Sequence, residues 1–234
     1  MKTRLGKISL VILFVFPFYA QAANMTFTSD ANIQAGNSWS SVSIYDSPPA
    51  HTTVNMTGGS VTDIMKVYNA STLNMSAGQV KGGLSALDQS IVNISGSSVV
   101  GSLGATNNAT INLSGNASII GAGIGGSGIF NIYGGTIGQL NGYASAVINL
   151  YGGAITNYIS VEPSGTINVF GCDLAKTNTG GTYGYGQITG FWQDTLSFTI
   201  NLADPGTYSV VNLIPEPATL LLFGLGVLLL KKSH

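Results

Sequence analysis

Residues 73–94 read Leu73-Asn74-Met75-Ser76-Ala77-Gly78-Gln79-Val80-Lys81-Gly82-Gly83-Leu84-Ser85-Ala86-Leu87-Asp88-Gln89-Ser90-Ile91-Val92-Asn93-Ile94, and the stretch opens and closes on the same apolar-Asn-apolar tripeptide. Working outward, the tripeptide recurs as Val54-Asn55-Met56, Leu73-Asn74-Met75, Val92-Asn93-Ile94, Ile111-Asn112-Leu113, Phe130-Asn131-Ile132, Ile148-Asn149-Leu150 and Ile167-Asn168-Val169. Successive copies are 19, 19, 19, 19, 18 and 19 residues apart. Within each copy apolar and polar residues alternate, the period of two that marks a strand. A glycine follows four or five positions after the start of each copy, at Gly58, Gly78, Gly96, Gly115, Gly134, Gly152 and Gly171.

Further apolar columns complete the unit. Val61, Val80, Val99, Ile137, Ile155 and Leu174 lie seven positions on, Met65, Leu84, Leu103 and Ile159 eleven, and Val67, Ala86, Ala105, Ile124, Tyr143 and Val161 thirteen. The fourth unit carries its apolar pair at Ile119 and Ile120 instead. Each unit is thus three short strands joined by Gly-, Ser- and Asn-rich corners, and none can bury its apolar face alone. Stacking the units buries a continuous core and pairs every strand with the coils above and below. The expected fold is all-β: a single-stranded parallel β-helix, or β-solenoid, of about seven 19-residue coils. The lack of a strict hexapeptide pattern favours the right-handed form. If the apolar residues flanking each Asn point inward, the Asn side chains form an outward column; an inward ladder at a bend is the competing geometry.

Composition agrees with a stacked, polar rod. Of 234 residues 44% are hydrophobic and only 7% charged, and the formal charge is −1. Five of the eight basic residues lie at the extreme ends (Lys2, Arg4, Lys7, Lys231, Lys232), so the middle lacks the basic face that nucleic-acid binding requires. A single cysteine, Cys172, excludes a disulfide framework.

Residues 1–22 read as a signal peptide, with basic Lys2, Arg4 and Lys7, an apolar stretch over 8–19, and a cleavage site at Ala20 and Ala22 for signal peptidase. Residues 23–53 are assigned to an N-terminal cap closed by Trp39, residues 54–171 to the solenoid, and residues 172–213 to a C-terminal cap. Residues 214–234 are assigned to a sorting and membrane segment: Pro215-Glu216-Pro217, an apolar run from Leu220 to Leu230 with Gly224 and Gly226, and the basic pair Lys231 and Lys232 followed by Ser233 and His234. The thirteen residues 218–230 make a short helix of about 20 Å, suited to a transient membrane anchor. These residues resemble the PEP-CTERM sorting domain in all three parts and in their order, with a basic end shorter than usual. The resemblance implies recognition by exosortase, removal of the tail near the triplet, and a Gram-negative-type bacterium that makes extracellular matrix. The units also resemble those of β-helical bacterial surface proteins, in architecture only.

No pair of carboxylates shares a column in neighbouring coils, His51 sits beside a Pro-Pro turn, and Cys172 has no partner histidine, so no catalytic, cofactor or metal residue is assigned. Asp63 and Lys81 are placed to approach across one coil step. One column carries more: Thr57, Ser76, Ser95 and Ser114 give way to Tyr133, Tyr151 and Phe170. At about 4.8 Å per coil these aromatics form a ridge that can contact exopolysaccharide, or that packs on itself or under the C-terminal cap. The sequence therefore reads as an exported, non-enzymatic cell-surface or extracellular-matrix structural protein. A polysaccharide-binding adhesin is the alternative, and a polysaccharide-degrading β-helix enzyme the second.

Overall fold

The computed structural model describes residues 23–215. The expected signal peptide with Ala20 and Ala22, and the tail from Glu216 and Pro217 to Lys231 and Lys232, lie outside the described residues. Within them the chain is a parallel β-solenoid with no α-helix and one 3-10 turn, Thr207–Val210.

Each coil begins with the Asn-bearing strand. Ile91–Ile94, Thr110–Leu113, Ile129–Ile132 and Val147–Leu150 stack in register, Val92 on Ile111 on Phe130 on Ile148. Their burial alternates, the apolar neighbours of each Asn being buried and the Asn half-exposed, so one flank fills the core while the other meets solvent. The second and third faces run together as one bent strand, as in Val99–Ala105 and Ser118–Ile124, and Thr72–Ala86 traverses an entire coil.

The corners explain the irregularities of the repeat. Three residues separate the first and second faces at Ser76-Ala77-Gly78, but four at Ser95-Gly96-Ser97-Ser98 and Ser114-Gly115-Asn116-Ala117. Between the second and third faces the count runs the other way: Lys81-Gly82, then Gly101 alone, then Ile120 alone. A residue gained at one corner is lost at the next, and the period stays at 19. The fifth unit is short at both, with Tyr133-Gly134-Gly135 and Gly138, which accounts for the single spacing of 18.

These corner lengths correct three inward positions read from the sequence. Val100 and not Val99 enters the core, with relative exposures of 0% and 39%. Ile119 is buried beside it while Ile120 points outward, 73% exposed. In the fifth unit the inward position falls on Gly142, paired between Ile124 and Val161, and Tyr143 turns to solvent.

Within the 18- and 19-residue units the third corner keeps one length, four residues. Turns such as Leu87-Asp88-Gln89-Ser90 and Thr106-Asn107-Asn108-Ala109 close through a hydrogen bond from the fourth amide to the first carbonyl. Their second residue is left-handed at Asn69, Asp88, Asn107, Gly126 and Ala144, a conformation that Asn, Asp and Gly tolerate best. Ser71, Ser90, Ala109 and Ala146 at the fourth position are buried, so the corner admits only small side chains.

Stacking extends beyond both boundaries drawn from the sequence. Ala31–Ile33 pairs with residues 54–56, Ser38–Trp39 with 60–61, and Val42–Ile44 with 65–67, so most of the segment assigned to the N-terminal cap is a further coil. Capping of the core falls to Met25–Phe27, paired beneath Val42–Ile44, with Phe27 edge-on to Trp39 at 6.1 Å. The lower coil escapes the 19-residue period because its third corner expands around Asp46. That carboxylate accepts hydrogen bonds from the Thr52 and Ala70 amides and the Ser71 hydroxyl, and lies 3.0 Å from His51 Nδ1.

At the other end Thr166–Lys176 leaves the rod after Gly171 and pairs antiparallel with Gln187–Phe191, which pairs in turn with Ser197–Asn201. The chain returns through Leu202, bridged to Ile159, and Val211–Pro215 lies parallel on residues 167–171. The hairpin is therefore an insertion within a final coil. Among the described residues no helix is long and apolar enough to cross a membrane.

Candidate functional site

Three features of the surface are the candidates for function: the asparagine column, the aromatic ridge with its groove, and the strand that carries the chain toward its tail.

The Asn side chains form an outward ladder. Each Nδ2 donates to the Oδ1 of the Asn one coil earlier, at 2.8 Å for Asn93, Asn112, Asn131, Asn149 and Asn168 and 3.0 Å for Asn74. The ladder continues past the seven repeats to Asn32 below, at 3.4 Å from Asn55, and to Asn212 above, at 3.1 Å from Asn168. An amide suits this role because it supplies donor and acceptor on one planar group, so every coil repeats the same bond and each polarises the next.

The ridge is present as geometry. Tyr133 and Tyr151 stack with centroids 4.8 Å apart at 7°, and Tyr151 and Phe170 at 4.3 Å and 13°. The rings lie on one another along the rod, so the column presents ring edges sideways and covers both faces of Tyr151. Burial and the neighbouring Tyr133 phenol both push the Tyr151 hydroxyl above its ordinary pKa of 10.0. A second stack, Tyr45 on Tyr68 at 4.4 Å, lies near the lower end of the rod.

The ridge also forms one wall of a groove of about 400 Å³. The corner glycines Gly115, Gly134, Gly152 and Gly153 line it, and the turn of the inserted hairpin forms the other wall with Trp192, Gln193, Asp194 and Leu196. Trp192 fixes that turn against the rod: its ring stacks on Phe198, and its Nε1 donates to the Gly153 carbonyl at 3.1 Å. Sequence reasoning found the ridge but not this opposing wall, since nothing in the repeat period indicates where a non-repeating hairpin folds back.

The carboxylates with displaced titration are structural. Burial works against ionisation of Asp46, and hydrogen bonds from Thr52, His51, Ser71 and Ala70 outweigh it, holding the carboxyl below its ordinary 3.8. Burial likewise opposes ionisation of Asp204, and bonds from Ser160, Thr207 and the Gly206 amide bring it below 3.8. The expected approach of Asp63 and Lys81 is not made; the one such contact among the described residues is that of His51 Nδ1 with Asp46, an ion pair only when the imidazole carries a second proton. Cys172 is a free, exposed thiol at the start of the hairpin sheet.

The last strand is tethered from the side. Lys176 Nζ donates to the Tyr208 and Val211 carbonyls at 3.1 and 2.7 Å and lies 4.5 Å from the Tyr208 ring centroid. Pro215, the first residue of the Pro-Glu-Pro triplet, is the last paired residue of that strand, opposite Gly171.

Fold and geometry thus define a repeat-built β-solenoid whose final rung passes straight into the C-terminal tail. The family model of the PEP-CTERM protein-sorting motif matches residues 213–231, and the chain carries that motif, the mark of an exosortase-sorted, exported protein. The match begins at Leu213, so the first three residues of the motif belong to the folded rung. No curated protein and no solved structure matches the chain.

Proposed function

We propose that the protein is a non-enzymatic structural rod of the cell surface or extracellular matrix of a Gram-negative-type bacterium. A signal peptide exports it, the apolar tail holds it transiently in the membrane, and exosortase cleavage near Pro215 to Pro217 hands it to the surface. The observation that carries the reading is the continuity of the rod with its sorting motif: the strand 211–215 completes the Asn ladder and enters the motif without a linker. A cut just beyond Pro215 leaves the solenoid whole. The rod acts by presentation, supported by a surface of amides, hydroxyls and glycines and by buried carboxylates whose hydrogen bonds go to the protein's own turns. The test is mass spectrometry of the mature chain from an exosortase-bearing host, with and without the exosortase gene. A C-terminus within a few residues of Pro215, and membrane retention when the gene is deleted, are expected; an intact tail on surface protein contradicts the reading.

A second reading has its own observation. The stacked Tyr133, Tyr151 and Phe170 beside an open groove suit a contact with exopolysaccharide, which makes the rod a polysaccharide-binding adhesin. Retention of the purified protein on immobilised matrix polysaccharide tests this, and elution in the void volume contradicts it.

A further inference from the structure

We propose that the groove beside the ridge holds one pyranose ring of a neutral or amino sugar, seated on the uncovered face of Tyr133. The inference rests on the second reading above and adds to it the position of the sugar and its charge class.

Three observations carry it. The first is which aromatic face is free. Tyr151 is stacked on both sides, by Tyr133 and by Phe170, and offers only edges. Tyr133 is stacked on one side; one coil earlier the same column holds Ser114, too small to cover a ring, and Tyr133 is 53% exposed. The electron-rich face of an aromatic ring attracts the polarised C–H groups of a sugar, and an edge does not. The stack therefore ends in a single platform, and that platform lines the groove together with Gly115 and Asn116 of the coil before it.

The second observation is size and rigidity. About 400 Å³ falls within the range of small-molecule sites and fits one or two pyranose rings. Neither wall has to move: Tyr133 is fixed by its stack, and the facing turn by the Trp192 bond to the Gly153 carbonyl.

The third is charge. Among the described residues the groove is lined by the acidic Asp194 and by no lysine, arginine or histidine. One Asp194 oxygen accepts the Leu196 amide at 3.1 Å, and the other makes no hydrogen bond among the described residues, which leaves acceptor capacity at this lining residue. A uronate or sulfate there meets a like charge without a counterion, whereas a hydroxyl or an ammonium group meets an acceptor. The Asn116 side chain at the mouth makes no hydrogen bond among the described residues and supplies both a donor and an acceptor for sugar hydroxyls.

Calorimetric titration of the full mature protein with cellohexaose, chitosan hexamer and an oligogalacturonate of equal length tests the proposal. Wild type is expected to bind a neutral or amino oligomer and not the oligogalacturonate. Tyr133→Ser, which places in this column the residue that Ser114 already occupies one coil below, is expected to weaken binding about tenfold without loss of fold. Asp194→Lys is expected to abolish any preference for the chitosan hexamer and to admit the oligogalacturonate. Unchanged affinity in Tyr133→Ser overturns the platform, and a wild-type preference for oligogalacturonate overturns the charge class. If wild type binds none of the three oligomers the subsite is overturned. Retention on matrix polysaccharide then separates the two claims: a retained protein loses only the subsite, and an unretained one loses the polysaccharide reading as well.

Discussion

Replacing Asn112 by Ala removes two rungs at the middle of the ladder. Asn112 Nδ2 donates to Asn93 Oδ1 and Asn112 Oδ1 accepts from Asn131 Nδ2, both at 2.8 Å, so the substitution leaves one acceptor and one donor without their partners. These side chains are half-exposed, so water replaces part of what is lost and the full penalty of a buried orphan does not apply. At about 0.5–1.5 kcal/mol net for each bond, Asn112→Ala should cost about 1–3 kcal/mol. Asn32→Ala at the lower end removes a single bond of 3.4 Å and should cost no more than about 0.5 kcal/mol. Asn112→Asp refines the comparison. The carboxylate still accepts from Asn131, but it confronts the Asn93 oxygen without a proton to donate, and acidification below its pKa should restore part of the loss. Urea unfolding of wild type and the three variants measures all of these, with the slope of each transition reported because stacked repeats need not unfold in one step. The reasoning is refuted if Asn112→Ala lies within about 0.3 kcal/mol of wild type, or if Asn32→Ala costs as much as Asn112→Ala.

Other outcomes follow from the register and the buried carboxylates. Val100→Ala should cost about 2 kcal/mol and Val99→Ala less than about 0.5, by the same unfolding assay, because only Val100 faces the core. A Cβ on Gly101, at the second corner, collides with the Lys81 carbonyl oxygen, whereas one on Gly83, just past that corner, meets nothing closer than 3.8 Å. Gly101→Ala should thus destabilise by more than about 2 kcal/mol and Gly83→Ala by less than about 0.5, read as shifts in melting temperature. Asp46 and Asp204 both titrate below 3.8 in the folded protein, so the unfolded chain takes up their protons first as pH falls. Their contribution is complete above the ordinary carboxylate pKa and is lost as pH falls through the depressed folded values. Asp46→Asn should lessen the acid sensitivity of the lower coil, as followed by hydrogen exchange of residues 42–56. Lys176→Met removes the ammonium that holds the Tyr208 and Val211 carbonyls, and amide exchange of residues 211–214 should quicken while that of residues 110–113 is unchanged.

The sequence made the solenoid legible because its strongest signal, an amide between two apolar residues, is also the contact that sets the register. The same tripeptide stands at Ala31-Asn32-Ile33 and Val211-Asn212-Leu213, yet both lie outside the period, 23 residues before Val54 and 44 after Ile167. An expanded corner around Asp46 displaces the first and an inserted hairpin the second; neither changes the strand that stacks. A fixed period misses such coils; a search for the tripeptide alone finds them, together with Ala23-Asn24-Met25 and Ile200-Asn201-Leu202, which start no coil. The misphased Val99 and Tyr143 have other causes: Val99 slips because the first corner gains a residue that the second gives back, and Tyr143 because the fifth unit is one residue short at its second corner. For the site, the ridge was visible because its three aromatics belong to the repeat. Its groove was not, because Trp192 and Asp194 come from a segment with no period, placed by a ring stack and one indole hydrogen bond.

Stacking itself is tested most directly by distances between spin labels placed along one outward column. Ser43, Lys66, Ser85, Gly104, Gly123 and Asn141 occupy equivalent positions in six successive coils. With Cys172 replaced by Ser, cysteine pairs at 43 and 123 and at 43 and 141 should lie about 19 and 24 Å apart, one coil spacing of about 4.8 Å separating the two values. Distances that fail to grow by a constant step per coil, or that scale with the 80 and 98 residues of chain between the labels, contradict the solenoid and every functional reading built on it.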